Sequence, residues 1–321
     1  MREAFRATFA MVVFAATLFA APALAQQYPN RPVRIVVGFA AGSGPDVLAR
    51  TIATQLGSDL GHNFIVENRP GANGTIAAKL VAQSEPDGYT LLYSSAAISS
   101  TPFMYKNIGL DVLKDLVPVA TVGVVDGYLM LVNPALPVRT VADFIAYAKN
   151  NRVLYGSPGV GNLLHLAAEL FNVKAGVKME HVPYKGASEV LNALLQGSIQ
   201  VMFVTTTSAA GLVKDGKLRA LATTGAKPMA EFPDLPLLRA TVPAYPPSVS
   251  WGIVFAPAKT PAAVVDKLNA AIQHALTVRA VADIMQKSGY VPDGRNAAQT
   301  AEFFREQVAE TGEAVRAAGL N

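Results

Sequence analysis

The stretch Pro32-Val33-Arg34-Ile35-Val36-Val37-Gly38-Phe39-Ala40-Ala41-Gly42-Ser43-Gly44-Pro45-Asp46-Val47-Leu48-Ala49-Arg50 holds strand, loop and helix in one run. Val33–Val37 is rich in β-branched residues and reads as a buried strand. After the glycines, Leu48, Ile52 and Leu56 recur on one helical face. Ser43 and Asp46 stand at capping-box spacing, and Pro45 suits a first helical turn. A strand that feeds a helix through glycines leaves backbone N–H groups and a helix dipole free to hold an anion. The alternative is simply a well-capped helix. Asp46 and Arg50 are i, i+4 partners and are expected to form a structural ion pair.

Outward from this run the pattern repeats. A short strand at Asn63–Glu67 leads into Asn68-Arg69-Pro70-Gly71-Ala72-Asn73-Gly74 and a helix over about Thr75–Gln83. Pro86-Asp87-Gly88 is a turn signal, and Thr90–Tyr93 is a strand ending in Ser94-Ser95. Such alternation argues for parallel strands covered by helices. The sequence then restarts with strands at Gly127–Val132, Val153–Gly156, Met179–Pro183, Ile199–Val204 and Leu218–Thr223. Helices are expected at Val141–Lys149, Leu163–Phe171 and Ser188–Leu195. Pro233–Pro247 reads as connecting structure, and helices at Pro261–Leu276, Val278–Ser288 and Ala298–Ala318 close the chain. The organisation is two α/β lobes, with the C-terminal helices returning to the first. Trp251, the sole tryptophan, is assigned to the core near the crossing and offers a fluorescence probe.

The chain has 321 residues, 51% hydrophobic and 16% charged, with no cysteine and a net charge of +4. That apolar fraction supports a packed core and excludes overall disorder. Without cysteine there is no disulfide framework, no thiolate metal site and no thiol nucleophile. Lys and Arg (27) barely exceed Asp and Glu (23) and form no run, so nucleic-acid binding is excluded. Residues 1–25 open with Arg2 and Arg6, continue apolar from about Phe9 to Ala21 and end in Ala23-Leu24-Ala25. This is the pattern of a signal peptide cleaved after Ala25, which places the mature protein in the periplasm. ATP and NAD(P)H are generally absent there, so no cofactor is expected.

A second glycine loop, Ser157-Pro158-Gly159-Val160-Gly161-Asn162, also joins a strand to a helix. His165 lies one turn in, where the helix dipole favours neutral imidazole. His165 and Glu169 alone are too few for a metal site. Gly42-x-Gly44 and Gly159-x-Gly161 lack the third small residue of a dinucleotide fingerprint, with Val47 and Leu164 in its place. There is no Gly-x-Ser-x-Gly elbow, so the expectation is not an enzyme. Tyr184-Lys185-Gly186-Ala187 precedes a third helix start, and Thr205–Ser208 offers hydroxyls beyond an apolar strand.

Taken in order, these motifs resemble the Bug-type extracytoplasmic solute receptors of tripartite tricarboxylate transporters. The resemblance is carried by Pro32–Phe39 with Gly42 and Asp46–Arg50, by Glu67–Gly74 and by Pro86–Leu92. Gly156–Asn162 with His165-Leu166-Ala167, Val182–Gly186, Trp251-Gly252, Ala256-Pro257 and Thr260-Pro261 complete it. It implies an α/β two-lobed periplasmic-binding-protein fold (Venus flytrap, type II) with a central mixed sheet in each lobe. Lobe 1 would comprise 27–124 plus 252–321, and lobe 2 would comprise 125–251. The implied function is capture of a di- or tricarboxylate, or an aromatic carboxylate, between the lobes, followed by delivery to the transporter's membrane subunits. The receptor would act as a monomer. The implied ligand contacts are Phe39, Ser43, Gly44, Asp46, Ser94 and Ser95 in lobe 1. In lobe 2 they are Ser157, Gly159, Val160, Gly161, Asn162, His165, Gly186, Ala187 and Thr205. Two other classes share the pattern: a ligand sensor for a histidine kinase, and an exported hydrolase. The chain departs from the family at Ser43 (usually glycine), Pro45 (usually Thr or Ser), Val204 (often an acid) and Ala240 (usually glutamate). Loss of the acid at Val204 argues against an amine-bearing ligand and makes that wall less polar.

Overall fold

The computed structural model describes residues 28–229, 231–317 and 319–320; the signal peptide expected at 1–25 lies outside them. Two sheets organise the chain. The first contains β1 (Val33–Val37), β2 (Phe64–Asn68), β3 (Thr90–Ser95), β4 (Leu116–Asp126), β10 (Val249–Pro257) and β11 (Val291–Pro292), in the order β11-β4-β10-β3-β1-β2. The second contains β5 (Leu129–Val132), β6 (Leu154–Ser157), β7 (Glu180–Pro183), β8 (Val201–Val204) and β9 (Arg219–Thr223), in the order β7-β6-β8-β5-β9. β1 runs parallel to β2 and β3, and β6 runs parallel to β7 and β8. The remaining pairings are antiparallel, so each sheet is mixed, as the family resemblance implies, and the parallel strands that alternation suggests form only part of each.

Helices cover both faces of each sheet. In the Gly44–Leu60 helix, Leu48, Ile52 and Leu56 are buried against β1 and β3, the stripe their spacing requires. Each such side chain contributes about 1.5–3 kcal/mol when fully buried. The Ala262–Thr277 helix shares this core, while Phe303, Phe304 and Val308 of the Ala297–Ala317 helix pack on the opposite face with Trp251. In the second sheet, the Val141–Asn150 and Leu163–Ala175 helices cover one face and Ala187–Leu195 the other.

The chain passes from the first sheet to the second between Asp126 and Leu129 and returns through β10. The crossings are bound together. Thr224 Oγ1 accepts from Tyr128 N–H at 2.8 Å, Thr224 N–H donates to Tyr128 O at 2.9 Å, and Ser248 N–H donates to Thr224 O at 2.9 Å. Asp126 accepts from the N–H groups of Ala226 and Lys227 at 2.8 and 3.1 Å. Gly127 has φ +84°, and a Cβ there would lie 2.3 Å from Gly225 N, so only glycine fits this crossing.

Candidate interlobe binding site

Every helix that follows β1, β6, β7 or β8 starts at the carboxyl end of its strand, the edge at which open α/β sheets bind ligands. Two loops from opposite sheets meet there. Asn162 Nδ2 donates to Asn73 Oδ1 at 3.3 Å. A Cβ on Gly161 (φ +77°) would lie 2.9 Å from Met104 Cγ, so the Met104 side chain presses on the second glycine loop. Neither Phe39–Asp46 nor Ser157–His165 carries a lysine or arginine. An anion held here would rely on N–H groups, hydroxyls and helix dipoles.

In the first loop Ser43 is the N-cap residue, but the expected capping box does not form: among the described residues Ser43 makes no side-chain cap bond. Asp46 turns back instead. Its carboxylate accepts from Gly42 N–H (2.8 Å), Asn68 Nδ2 (2.8 Å) and Arg50 Nε (3.1 Å). Gly42 has φ +78°, which brings its N–H within reach. Burial pushes the Asp46 carboxyl up, but the hydrogen bonds from Arg50, Gly42 and Asn68 outweigh burial and hold it below its ordinary value. Asp46 therefore shapes the loop, and its expected ion pair with Arg50 is present. Ser43 Oγ is shielded from solvent with no partner among the described residues. The Phe39 ring lies against Gly74, and Gly44 has open space where a side chain would stand. Ser94 is buried, and Ser95 Oγ accepts from Ala97 N–H at 3.4 Å.

The second loop rests on a buried polar cluster. Ser157 is fully buried, and its hydroxyl pairs with His181 Nε2 at 2.7 Å and with Gly159 O at 3.1 Å. His165 Nδ1 accepts from Gly161 N–H at 3.2 Å, so in neutral His165 the proton sits on Nε2, facing Glu169 Oε1 at 4.0 Å. Glu169 also accepts from Tyr155 OH. The two imidazoles lie 4.1 Å apart, with Tyr155 stacked on His181 at 4.9 Å. Burial lowers His165 to about 4; His181 is likewise lowered to about 4, by burial and by its neighbour His165. Both are therefore neutral near pH 7. Ser157 and His165 thus support the loop from beneath, whereas Gly159 (φ +126°) and exposed Val160 form its outer face. Asn162 Oδ1 caps the Leu163–Ala175 helix through Leu164 N–H at 3.0 Å. Gly186 starts the Ala187–Leu195 helix with no side chain to cap it, and Thr205 Oγ1 pairs with Ser208 Oγ at 3.0 Å. Val204 is fully buried in the core cluster with Leu129 and Met202. The expectation of a less polar wall at that position is therefore withdrawn.

Two cross-lobe features have little signature in the sequence. Asn73 reaches lobe 2 because Ala72 (φ +46°) and Asn73 (φ +56°) take left-handed backbone; asparagine's tolerance of that region is the available signal. The second is a groove of about 920 Å³ flanking the hinge, walled by Leu163, Leu166 and Leu170 on one side and Gln307, Thr311 and Ala314 on the other.

Two mixed α/β sheets joined at a double crossing, with a glycine loop at the carboxyl edge of each and Asn73 and Met104 reaching from the first lobe to the second loop, define a two-lobed solute-binding protein of the periplasmic-binding-protein type. Residues 48–320 match the model of the tripartite tricarboxylate transporter family receptor, and the chain belongs to that family. It is similar to protein BugT of Bordetella pertussis, 33% identical over 317 residues, covering 96% of this chain and 95% of that one. Among solved structures it is similar to R. palustris Rpa4515 with adipate (33% identity, TM-score 0.83, covering 91% of this chain and 98% of that chain). It is also similar to MatC from Rhodopseudomonas palustris with bound malate (28% identity, TM-score 0.80, covering 90% and 100%). As a family member it is a periplasmic solute receptor rather than an enzyme. Among the described residues no helix is long and apolar enough to cross a membrane.

Proposed function

We propose that this receptor captures a small aliphatic di- or tricarboxylate between its two sheets and delivers it to the membrane subunits of a tripartite transporter. The observation that carries this reading is that a glycine loop free of cationic side chains opens at the carboxyl edge of each sheet, with Asn73 and Met104 of the first lobe reaching the second loop at Asn162 and Gly161. Lobe 1 would comprise 27–124 plus 252–321, and lobe 2 would comprise 125–251. The acid first meets one lobe, and closure about Asp126–Tyr128 and the return strand then brings the second loop onto it. Water leaves, and each N–H to carboxylate hydrogen bond strengthens in the lower dielectric. The N–H groups of Gly44, Val160, Gly186 and Ala187 and the hydroxyls of Ser43, Ser94, Ser95 and Thr205 are the donors assigned to the ligand, and Gly159 N–H, which donates to Ser157 Oγ at 3.3 Å, would join them on leaving that bond. Asp46, Ser157 and His165 hold those donors in place, and spacing between the loops sets the length of acid accepted. Adipate and malate in the related structures support the ligand class. An aromatic carboxylate loses its one argument with the burial of Val204.

Isothermal titration of mature protein with adipate, malate and citrate, each beside its amide or ester, tests this. Binding of at least one acid and of none of the neutral analogues is expected; silence toward all the acids overturns the reading. Mass determination of the exported protein is expected to show Gln26 as its first residue. Size-exclusion chromatography is expected to show a monomer, and transport into vesicles carrying the membrane subunits is expected to require the receptor.

A further inference from the structure

We propose that Asn73 reads the ligand and couples it to closure: its amide NH₂ donates to an oxygen of the bound acid while its Oδ1 accepts from Asn162 of the other lobe. This rests on the carboxylate-receptor reading and deepens it by naming a contact outside the two glycine loops.

The orientation of the Asn73 amide follows from its neighbours. Asn162 Oδ1 is occupied by Leu164 N–H at 3.0 Å, so Asn162 offers only its NH₂ across the cleft. That NH₂ requires an oxygen, and Asn73 presents Oδ1 to it at 3.3 Å. Asn73 Nδ2 is thereby turned the other way. It is shielded from solvent and has no hydrogen-bond partner among the described residues, an arrangement that buried amides avoid unless a partner arrives. Ser43 Oγ, in the adjoining loop, is in the same condition.

The two belong to adjoining loops. Asn68 Nδ2 binds both Phe39 O (3.0 Å) and Asp46 Oδ1 (2.8 Å), and a Cβ on Gly38 would lie 2.5 Å from Gly74 Cα. The Asn73 backbone is left-handed (φ +56°, ψ +30°) directly after Ala72 at φ +46°. Uncommon backbone at two successive residues is maintained here where it brings a carboxamide to the other lobe. The Asn73 NH₂ donates only and suits a carboxylate oxygen or a hydroxyl oxygen of a hydroxy acid, and the Ser43 hydroxyl can donate to the same group.

Titration of wild-type, Asn73→Asp and Asn73→Gly proteins with adipate and malate separates the two roles of this side chain. The Asn73→Asp variant keeps an oxygen for Asn162 but replaces the donor with an anion facing an anion. Its affinity is expected to fall by at least about tenfold for whichever acid the wild type binds. The Asn73→Gly variant accepts the left-handed backbone without strain, and its affinity is expected to fall by a smaller factor. Circular dichroism spectra matching the wild type are expected for both. Wild-type binding with Asn73→Asp unchanged would leave Asn73 a lobe contact only and overturn this proposal alone. Failure of the wild type to bind any acid would overturn the receptor reading and this one with it.

Discussion

In the proposed site Asp46 would act by shaping the first glycine loop, through the hydrogen bonds its carboxylate accepts. It is 2% exposed, and its oxygens gather donors from Gly42, Asn68 and Arg50. Asp46→Ala is therefore expected to lower stability by about 1–3 kcal/mol, because one carboxylate that accepts three hydrogen bonds and an ion pair is lost, and to weaken ligand binding as the Gly42–Gly44 loop relaxes. Chemical denaturation and titration of the variant measure both, and unchanged values would refute the role. The histidine pair makes a second prediction. Imidazoles in the unfolded chain protonate near pH 6.5, whereas His165 and His181 stay neutral down to about 4 when folded. The unfolded state thus binds more protons between these values, and stability falls as pH drops from 6.5 to 4. The groups facing the pair are Tyr155, Ser157 and Glu169; Asp46 titrates below this window. Protonated His165 can no longer accept from Gly161 N–H, so affinity is expected to fall in the same range. A melting temperature that is flat from pH 6.5 to 4 contradicts this, and His165→Gln is expected to shallow the slope.

Elements written in local sequence are legible from the residues alone, and those made by distant pairing are not. The strand Val33–Val37 and the helix bearing Leu48, Ile52 and Leu56 carry their periods within a few turns of chain, and both are where the sequence places them. β4 and β10 lie in apolar runs without a clear period, which sequence alone does not divide between buried strand and buried helix. Their 11 and 9 residues become strands by pairing with each other and, for β10, with β3, contacts that no window of sequence contains. The site is half legible for the same reason. Glycine loops announce themselves, but the inward turn of Ser157 depends on His181, 24 positions on. The Pro233–Pro247 connection also hides order: Leu238, Val242 and Tyr245 complete the lobe-2 core, and Tyr245 OH donates to Ala167 O at 3.1 Å. At the hinge the backbone itself sets the constraint. Gly127→Ala puts a methyl group 2.3 Å from Gly225 N at φ +84°, where neither backbone can yield cheaply. A loss of more than about 1 kcal/mol is expected, measured by urea denaturation; a neutral result would mean that the crossing is not locked.

Closure of the whole molecule is the property that a receptor must couple to its ligand, and the position of Trp251 allows binding and its spread to be separated. A ligand at about 100 times its dissociation constant adds roughly 2.7 kcal/mol to stability. At about 2–4 °C per kcal/mol for large domains, this raises the melting temperature by about 5–10 °C. Trp251 is fully buried in β10. Its indole N–H donates to Gln307 at 3.1 Å and its ring meets Phe303 and Phe304 edge-on. Its emission is accordingly expected to be blue-shifted, and to remain fixed when ligand raises the melting temperature if the first-sheet core moves as one body. The walls of the hinge groove instead belong to both lobes, with Leu166 on one and Ala314 on the other, and they must change spacing when the lobes rotate. A spin-label pair at Leu166 and Ala314 is therefore expected to change separation on addition of the acid that raises the melting temperature, while Trp251 stays silent. A constant label distance would show binding without lobe rotation. A shifted Trp251 spectrum would show instead that ligand repacks β10 against the C-terminal helix, and the first lobe would then be a moving part rather than a frame.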